Sequence, residues 1–177
     1  MSERTYVALL RGINVGGKNS VPMKDLVAMF EKAGCAEVST YIQSGNVVFR
    51  AEAALAVKLP AAIGAAIKKR FGFEPPVVLR SGEELRKVAE GNPFIKCEAE
   101  TLHVAFLADL PGKEPVRSLE PKPPDEFAVI GREIYLRCPN GYGKTKLTNA
   151  WFDSRLKTIS TVRNWRTVLK LLEMTKA

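Results

Sequence analysis

The chain has 177 residues, 46% hydrophobic and 26% charged, with 27 Lys and Arg against 19 Asp and Glu. That is material for one compact domain or two small halves, and no stretch approaches the roughly 20 apolar residues that span a bilayer. Cys35, Cys97 and Cys138 are odd in number and far apart, with a single histidine beside them, which excludes a disulfide framework and a zinc site and points to a reducing, cytoplasmic setting.

The opening Met-Ser-Glu-Arg-Thr shows no signal-peptide pattern and leads into a buried-type strand over Thr5–Arg11. Met23, Leu26, Val27, Phe30 and Ala33 share one helical face, with Pro22 suited to the first turn and Gly34 to the stop. Two strands, Glu37–Ser44 and Asn46–Arg50, then meet at a Ser-Gly-Asn turn. Ala53–Gly72 reads as a helix with Leu59, Ile63, Ala66 and Ile67 inward, Pro60 in its first turn and residues 53–58 as a lead-in. Pro75–Arg80 is a short strand whose prolines place it at a sheet edge. Ser81–Glu90 is a helix with acidic residues in its first turn, as the helix dipole favours.

The second half repeats this order. Leu102–Leu107 echoes Tyr6–Leu10, and a short helix falls within the proline-rich stretch Leu110–Leu119. Phe127–Ile130 and Glu133–Arg137 form a hairpin about Gly131-Arg132. A helix over Lys144–Phe152, a strand over Leu156–Ile159 and a helix over Thr161–Met174 complete the chain. Ser160 or Thr161 is expected to cap that last helix, and Val162, Trp165, Val168, Leu169 and Leu172 to form its apolar stripe. The expected fold is α+β: two tandem ferredoxin-like halves, residues 1–92 and 93–177, with antiparallel sheets and helices packed on them.

The best candidate site is Arg11-Gly-Ile-Asn-Val-Gly-Gly-Lys-Asn19, a glycine-rich loop between strand and helix. Tandem glycines permit positive φ and close approach, and a helix start aims N–H groups at an anion. In a split βαβ topology the Gln43–Asn46 turn and the loop before Pro75 reach the same end. Arg11, Asn14, Gly16, Gly17, Lys18, Gln43, Ser44 and Asn46, with the Lys68-Lys69-Arg70 run, then converge on one cationic rim. The opposing reading of each is structural: a sharp turn at Gly16-Gly17, and a hairpin turn at Gly45-Asn46.

Several long motifs are familiar together: Val7–Lys18, Val21–Leu26, Thr40–Phe49, Tyr142–Asn149 and Thr161–Val168. On these the chain resembles, nearly end to end, the bacterial family known as domain of unknown function 1697. The resemblance implies an α+β fold of ferredoxin-like halves and a cytoplasmic protein, and it implies no activity, cofactor or catalytic residue.

Other motifs are weaker. The first loop lacks the third glycine and downstream acidic residue of the dinucleotide fingerprint. Gly141-Tyr-Gly-Lys144-Thr145 lacks a Walker loop, because Cys138 stands where the first glycine belongs. Lys144 and Thr145, with Arg163 and Asn164, remain a possible second anion site, against a reading as a helix cap and as exposed neighbours of a core Trp165. His103 reads as a satisfied strand histidine, since its echo in the first half is Tyr6. Two functional classes follow. One is a binding module for a phosphate-bearing small molecule or RNA, with Tyr41, Phe49 or Tyr142 as stacking surfaces; Arg11 and Lys18 would supply charge, and Asn14, Gln43 and Asn46 directional hydrogen bonds. The other is an enzyme on a small anionic substrate, for which Asp25 is the nearest carboxylate. A structural or partner-binding protein is the blander third.

Overall fold

The computed structural model describes residues 2–176. Its elements in chain order are β1 (Arg4–Leu10), α1 (Met23–Lys32), β2 (Ala36–Tyr41), β3 (Asn46–Ala51), α2 (Ala53–Phe71), β4 (Val77–Ser81) and α3 (Gly82–Glu90), then β5 (Leu102–Leu107), α4 (Lys113–Arg117), β6 (Glu126–Ile130), β7 (Glu133–Arg137), α5 (Asn149–Leu156), β8 (Ser160–Asn164) and α6 (Trp165–Thr175). They form an α+β protein with two four-stranded sheets, ordered β2-β3-β1-β4 and β6-β7-β5-β8. Every pairing in both sheets is antiparallel. The chain divides into two compact units, Met1–Leu85 with Leu171–Ala177, and Arg86–Lys170. No helix among the described residues is long and apolar enough to cross a membrane.

In the first unit, α1 and α2 cover one face of the sheet. Tyr6, Ala8 and Leu10 of β1 and Val47 and Phe49 of β3 meet Leu26 and Phe30 of α1 and Leu59, Ile63 and Ile67 of α2. Alternate residues Val7 and Leu9 are buried as well, so from Tyr6 to Leu10 β1 is apolar on both faces rather than alternating. β4, entered through Pro75-Pro76, lies at the sheet edge as its prolines require. The second unit has the same strand plan, with Ala105, Leu107, Ile134 and Leu136 packed against Leu147, Phe152 and Leu156. Phe127 and Trp151 lie edge-on to Phe152, at 6.0 and 5.0 Å between ring centroids.

Four elements depart from the sequence expectation. α2 runs unbroken from Ala53 with Pro60 inside it. The first two turns are held by Ala56 and Leu59 in the core and by Leu55 packed against it, and this burial outweighs the backbone hydrogen bond that proline deletes. The strand expected at 156–159 lies instead at Ser160–Asn164, because Lys157 closes α5 in the left-handed region at φ 57° and Asp153 Oδ1 accepts from both Ser160 N–H (2.8 Å) and its hydroxyl (2.7 Å). α6 therefore starts at Trp165, and its cap is Asn164, whose Oδ1 accepts from Thr167 N–H at 2.8 Å, not Ser160 or Thr161. Val162 fits a helical period and a strand equally; here it packs on the second core from β8, and Leu169 is exposed. The helix expected from Lys144 starts later, at Asn149, where the Thr148 hydroxyl accepts from Trp151 N–H.

Gly45 is the tightest backbone approach in the first sheet: at φ +89°, an added Cβ would lie 2.8 Å from Leu10 Cβ. Gly45→Ala is expected to lose about 2–4 kcal/mol from strain and overpacking together. Gly17→Ala, strained at φ +72° but meeting nothing within 4 Å, loses about 1–2 kcal/mol from the backbone alone. Urea denaturation of the two variants tests the difference.

Candidate functional site

The glycine-rich loop leaves β1 at the end of the sheet where the β2–β3 turn and the start of β4 also lie. Leu10 N–H donates to Gly45 O at 2.8 Å and Arg11 N–H to Pro76 O at 3.0 Å, so all three segments are stitched at that end. Within the loop, Val15 and Lys18 pair across a tight turn whose central residues, Gly16 and Gly17, have φ of 59° and 72°. Two positive φ values in succession are what such a turn needs. The loop is therefore a small hairpin tip, not the direct strand-to-helix passage of a phosphate-binding loop. Beyond it, α1 begins at Met23 with Pro22 as its cap and no side chain capping its N–H groups.

Asn14 holds this loop. At φ 53°, its Nδ2 donates to Val21 O (2.9 Å) and to Gln43 O (2.7 Å), while its Oδ1 accepts from Val21 N–H (2.7 Å). Asn19 closes the same loop by donating to Gly12 O at 3.1 Å. Asn46, fully buried, holds the adjoining turn: its Nδ2 donates to Tyr41 O (3.1 Å) and to Ser44 Oγ (3.2 Å). These asparagines carry positioning bonds within the fold, in place of the outward donors expected of Asn14 and Asn46.

What the rim presents outward is narrower than the sequence implied. Lys18 and Gln43 are exposed, Arg11 is half-buried, and Gly16 and Gly17 are exposed with open space where a side chain would be. Ile42, a β-branched residue at φ 48°, is also exposed there. Arg70 pairs with Asp25 at 3.1 Å, joining the end of α2 to the start of α1, while Lys68 and Lys69 remain exposed. Of the proposed stacking rings, Phe49 is in the core against Tyr6 and Phe30, and Tyr142 stacks on His103 at 4.9 Å. Tyr41 is half-buried.

The four residues of the second candidate site are not brought together. Arg163 and Val162 are neighbours on β8 and so point to opposite faces of its sheet. Val162 and Tyr142 pack on the helix-covered core, and Arg163 is buried on the other side. The Thr145 hydroxyl donates to Asp125 Oδ2 at 2.6 Å, Asn164 caps α6, and Lys144 is exposed in a 3₁₀ turn over Tyr142–Lys144.

Two arginines are buried: Arg80, which the sequence did not single out, and Arg163, expected at an anion site or as an exposed neighbour of Trp165. Arg80 lies opposite Val7, and Arg163 opposite Val104, at equivalent places in the two sheets. Each donates its Nη1 to the carbonyl of the preceding residue at 2.9 Å, and Arg163 also donates to Thr161 Oγ1 at 2.8 Å. Burial pushes the Arg163 guanidinium down to about 10, which leaves it charged at neutral pH. The signal was present in sequence: an arginine directly before a capping Ser81 or Asn164.

Among the described residues no group of three or more His, Cys, Asp and Glu is placed to hold a metal ion. His103 sits in strand β5 with its Nδ1 buried and unbonded, and desolvation lowers its pKa below the ordinary histidine value, opposed by a backbone bond with Thr101. The neutral ring is the folded form. Below about pH 6.5 the unfolded chain takes up a proton that the folded chain refuses, so stability should fall as pH drops through that value towards the folded pKa. Denaturation midpoints between pH 8 and 5 should show this fall in the native protein and a flatter profile in His103→Phe. In the first unit, Asn14→Ala should cost about 1–3 kcal/mol by leaving the Val21 and Gln43 backbone groups unsatisfied, whereas Lys18→Ala stays within about 0.5 kcal/mol of the native protein; urea titrations of both variants check it.

Residues 3–135 match the family model described as protein of unknown function (DUF1697). A solved structure, that of the conserved bacterial protein SP0830 from Streptococcus pneumoniae, is similar with a TM-score of 0.73 and 26% identity, covering 98% of this chain and 99% of that one. No curated protein matches the chain.

Proposed function

The chain belongs to the DUF1697 family of proteins of unknown function, and for this member we propose non-catalytic binding of an anionic, phosphate-bearing ligand, a nucleotide or RNA, at the loop end of its first unit. The observation that carries the reading is the Asn14 clamp. The tip of the loop, Val15 to Asn19, is exposed, yet three side-chain hydrogen bonds and an asparagine at φ 53° fix the loop behind it. A rigid, cationic loop meets a ligand without the ordering cost that a mobile one carries.

Arg11, Lys18 and Gln43 supply the contacts in this reading, together with the open backbone at Gly16 and Gly17. Asn14, Ser44 and Asn46 position them. Binding is favoured over catalysis because Asp25, the nearest carboxylate in sequence, is already paired with Arg70. The strand orders β2-β3-β1-β4 and β6-β7-β5-β8 support reading residues 1–92 and 93–177 as ferredoxin-like halves, with the loop at a corresponding end of the first. Three free thiols support a reducing, cytoplasmic setting.

Thermal unfolding in the presence of nucleotides, sugar phosphates and short oligoribonucleotides tests the proposal. A ligand at about a hundred times its dissociation constant adds about 2.7 kcal/mol, and the Arg11→Ala/Lys18→Ala protein should lose that shift while unfolding at nearly the native temperature on its own. A steep fall of affinity with salt identifies RNA, and a shallow one a nucleotide. No shift with any of these compounds, or a shift that survives the double substitution, overturns the assignment.

A further inference from the structure

On the solvent side of the first unit, α1 and α2 do not close against each other. A groove of about 550 Å³ runs between them, with a floor of Ala28, Met29, Ala62, Ile63 and Ala66. The cause is in the sequence: alanines stand at the facing positions of both helices, where larger side chains would fill the gap. The lip is cationic, formed by Lys32, Lys69 and Arg70. The carboxylate of the lining, Asp25, is taken up by Arg70 at 3.1 Å, whereas neither Lys32 nor Lys69 has a hydrogen-bond or ion-pair partner among the described residues. An apolar floor between uncompensated ammonium groups is complementary to a molecule with an apolar body and a negative head.

The dimensions select the kind of occupant. The volume falls in the range of small-molecule sites, about 300–1,000 Å³. Along α1 the lining extends from Asp25 to Ala33, about 12 Å of helix axis, which is short for an amphipathic helix anchored at several successive turns. We propose that this groove binds a small monomeric anionic amphiphile, its apolar body on the alanine and methionine floor and its carboxylate or sulfonate head held by Lys32 or Lys69. None of Arg11, Lys18 and Gln43, which carry the proposed ligand contacts at the glycine-rich loop, lines the groove, although Lys69 and Arg70 belong to both surroundings.

The full chain can be titrated with 8-anilinonaphthalene-1-sulfonate, with octanoate, octanol and octyltrimethylammonium as competitors below their micellar concentrations. The expected result is saturable, one-to-one binding with blue-shifted emission, displaced by octanoate and far less by the alcohol or the cation. Ala62→Leu, a substitution at an exposed position, should fill the groove and weaken the dye roughly tenfold. Lys32→Glu/Lys69→Glu should weaken it similarly while native circular dichroism is kept. Absence of saturable binding overturns the proposal, as does affinity unchanged in both variants. Equal displacement by octyltrimethylammonium, or capture by anionic vesicles with no effect of monomeric octanoate, overturns it as well.

Discussion

One carboxamide ties three parts of the first unit together. Asn14 bonds both backbone groups of Val21, where the chain turns into α1, and the carbonyl of Gln43 in the β2–β3 turn. The shape of the loop, the entry of the helix and the place of the turn are thus one constraint and not three. Asparagine suits the position because a single short side chain offers both a donor and an acceptor and tolerates the left-handed backbone. Downstream, the helix start set in this way brings Asp25 to Arg70, which ties α1 to the far end of α2. Asn46 performs the corresponding task inside the turn.

Much of the fold was legible because it rests on local chemistry. β1 and β5 are apolar runs, the hairpins carry Gly45 and Gly131 at positive φ, and the Pro75-Pro76 pair marks an edge strand. The antiparallel alternation then placed the glycine loop, the turn and the start of β4 at one end, as the bonds of Leu10 and Arg11 report. What was not legible depends on contacts distant in sequence. Pro60 reads as a helix start until Ala56 and Leu59 are seen in the core. Val162 suits two periods, and only the bonds of Asp153 and Asn164 decide between them. At the site, composition marks Asn14 and Asn46 as polar loop residues; the direction of their side chains follows from which carbonyls stand nearby, and no spacing rule contains that.

The two units solve one problem twice. Val7 faces Arg80 across β1 and β4, and Val104 faces Arg163 across β5 and β8. By the same register Tyr6 corresponds to His103, each with an aromatic ring stacked on it. The residue after each arginine caps the following helix, Ser81 to Glu84 and Asn164 to Thr167. A guanidinium withdrawn from water is costly unless its donors are bonded, and in both sheets the first bond goes to the strand's own preceding carbonyl. The correspondence lies in register and hydrogen bonding more than in residue identity, which is why the sequence shows it only faintly.

The division of the chain has a consequence for how it is made. The first unit takes in residues from Leu171 onward, and Thr175 Cβ lies 3.4 Å from where a side chain at Gly82 would begin. The second unit is one uninterrupted segment, Arg86–Lys170. During vectorial synthesis the second unit has all of its residues before the first has its last ones. The order in which the two units come to have all their residues is therefore the reverse of the order in which their translation begins.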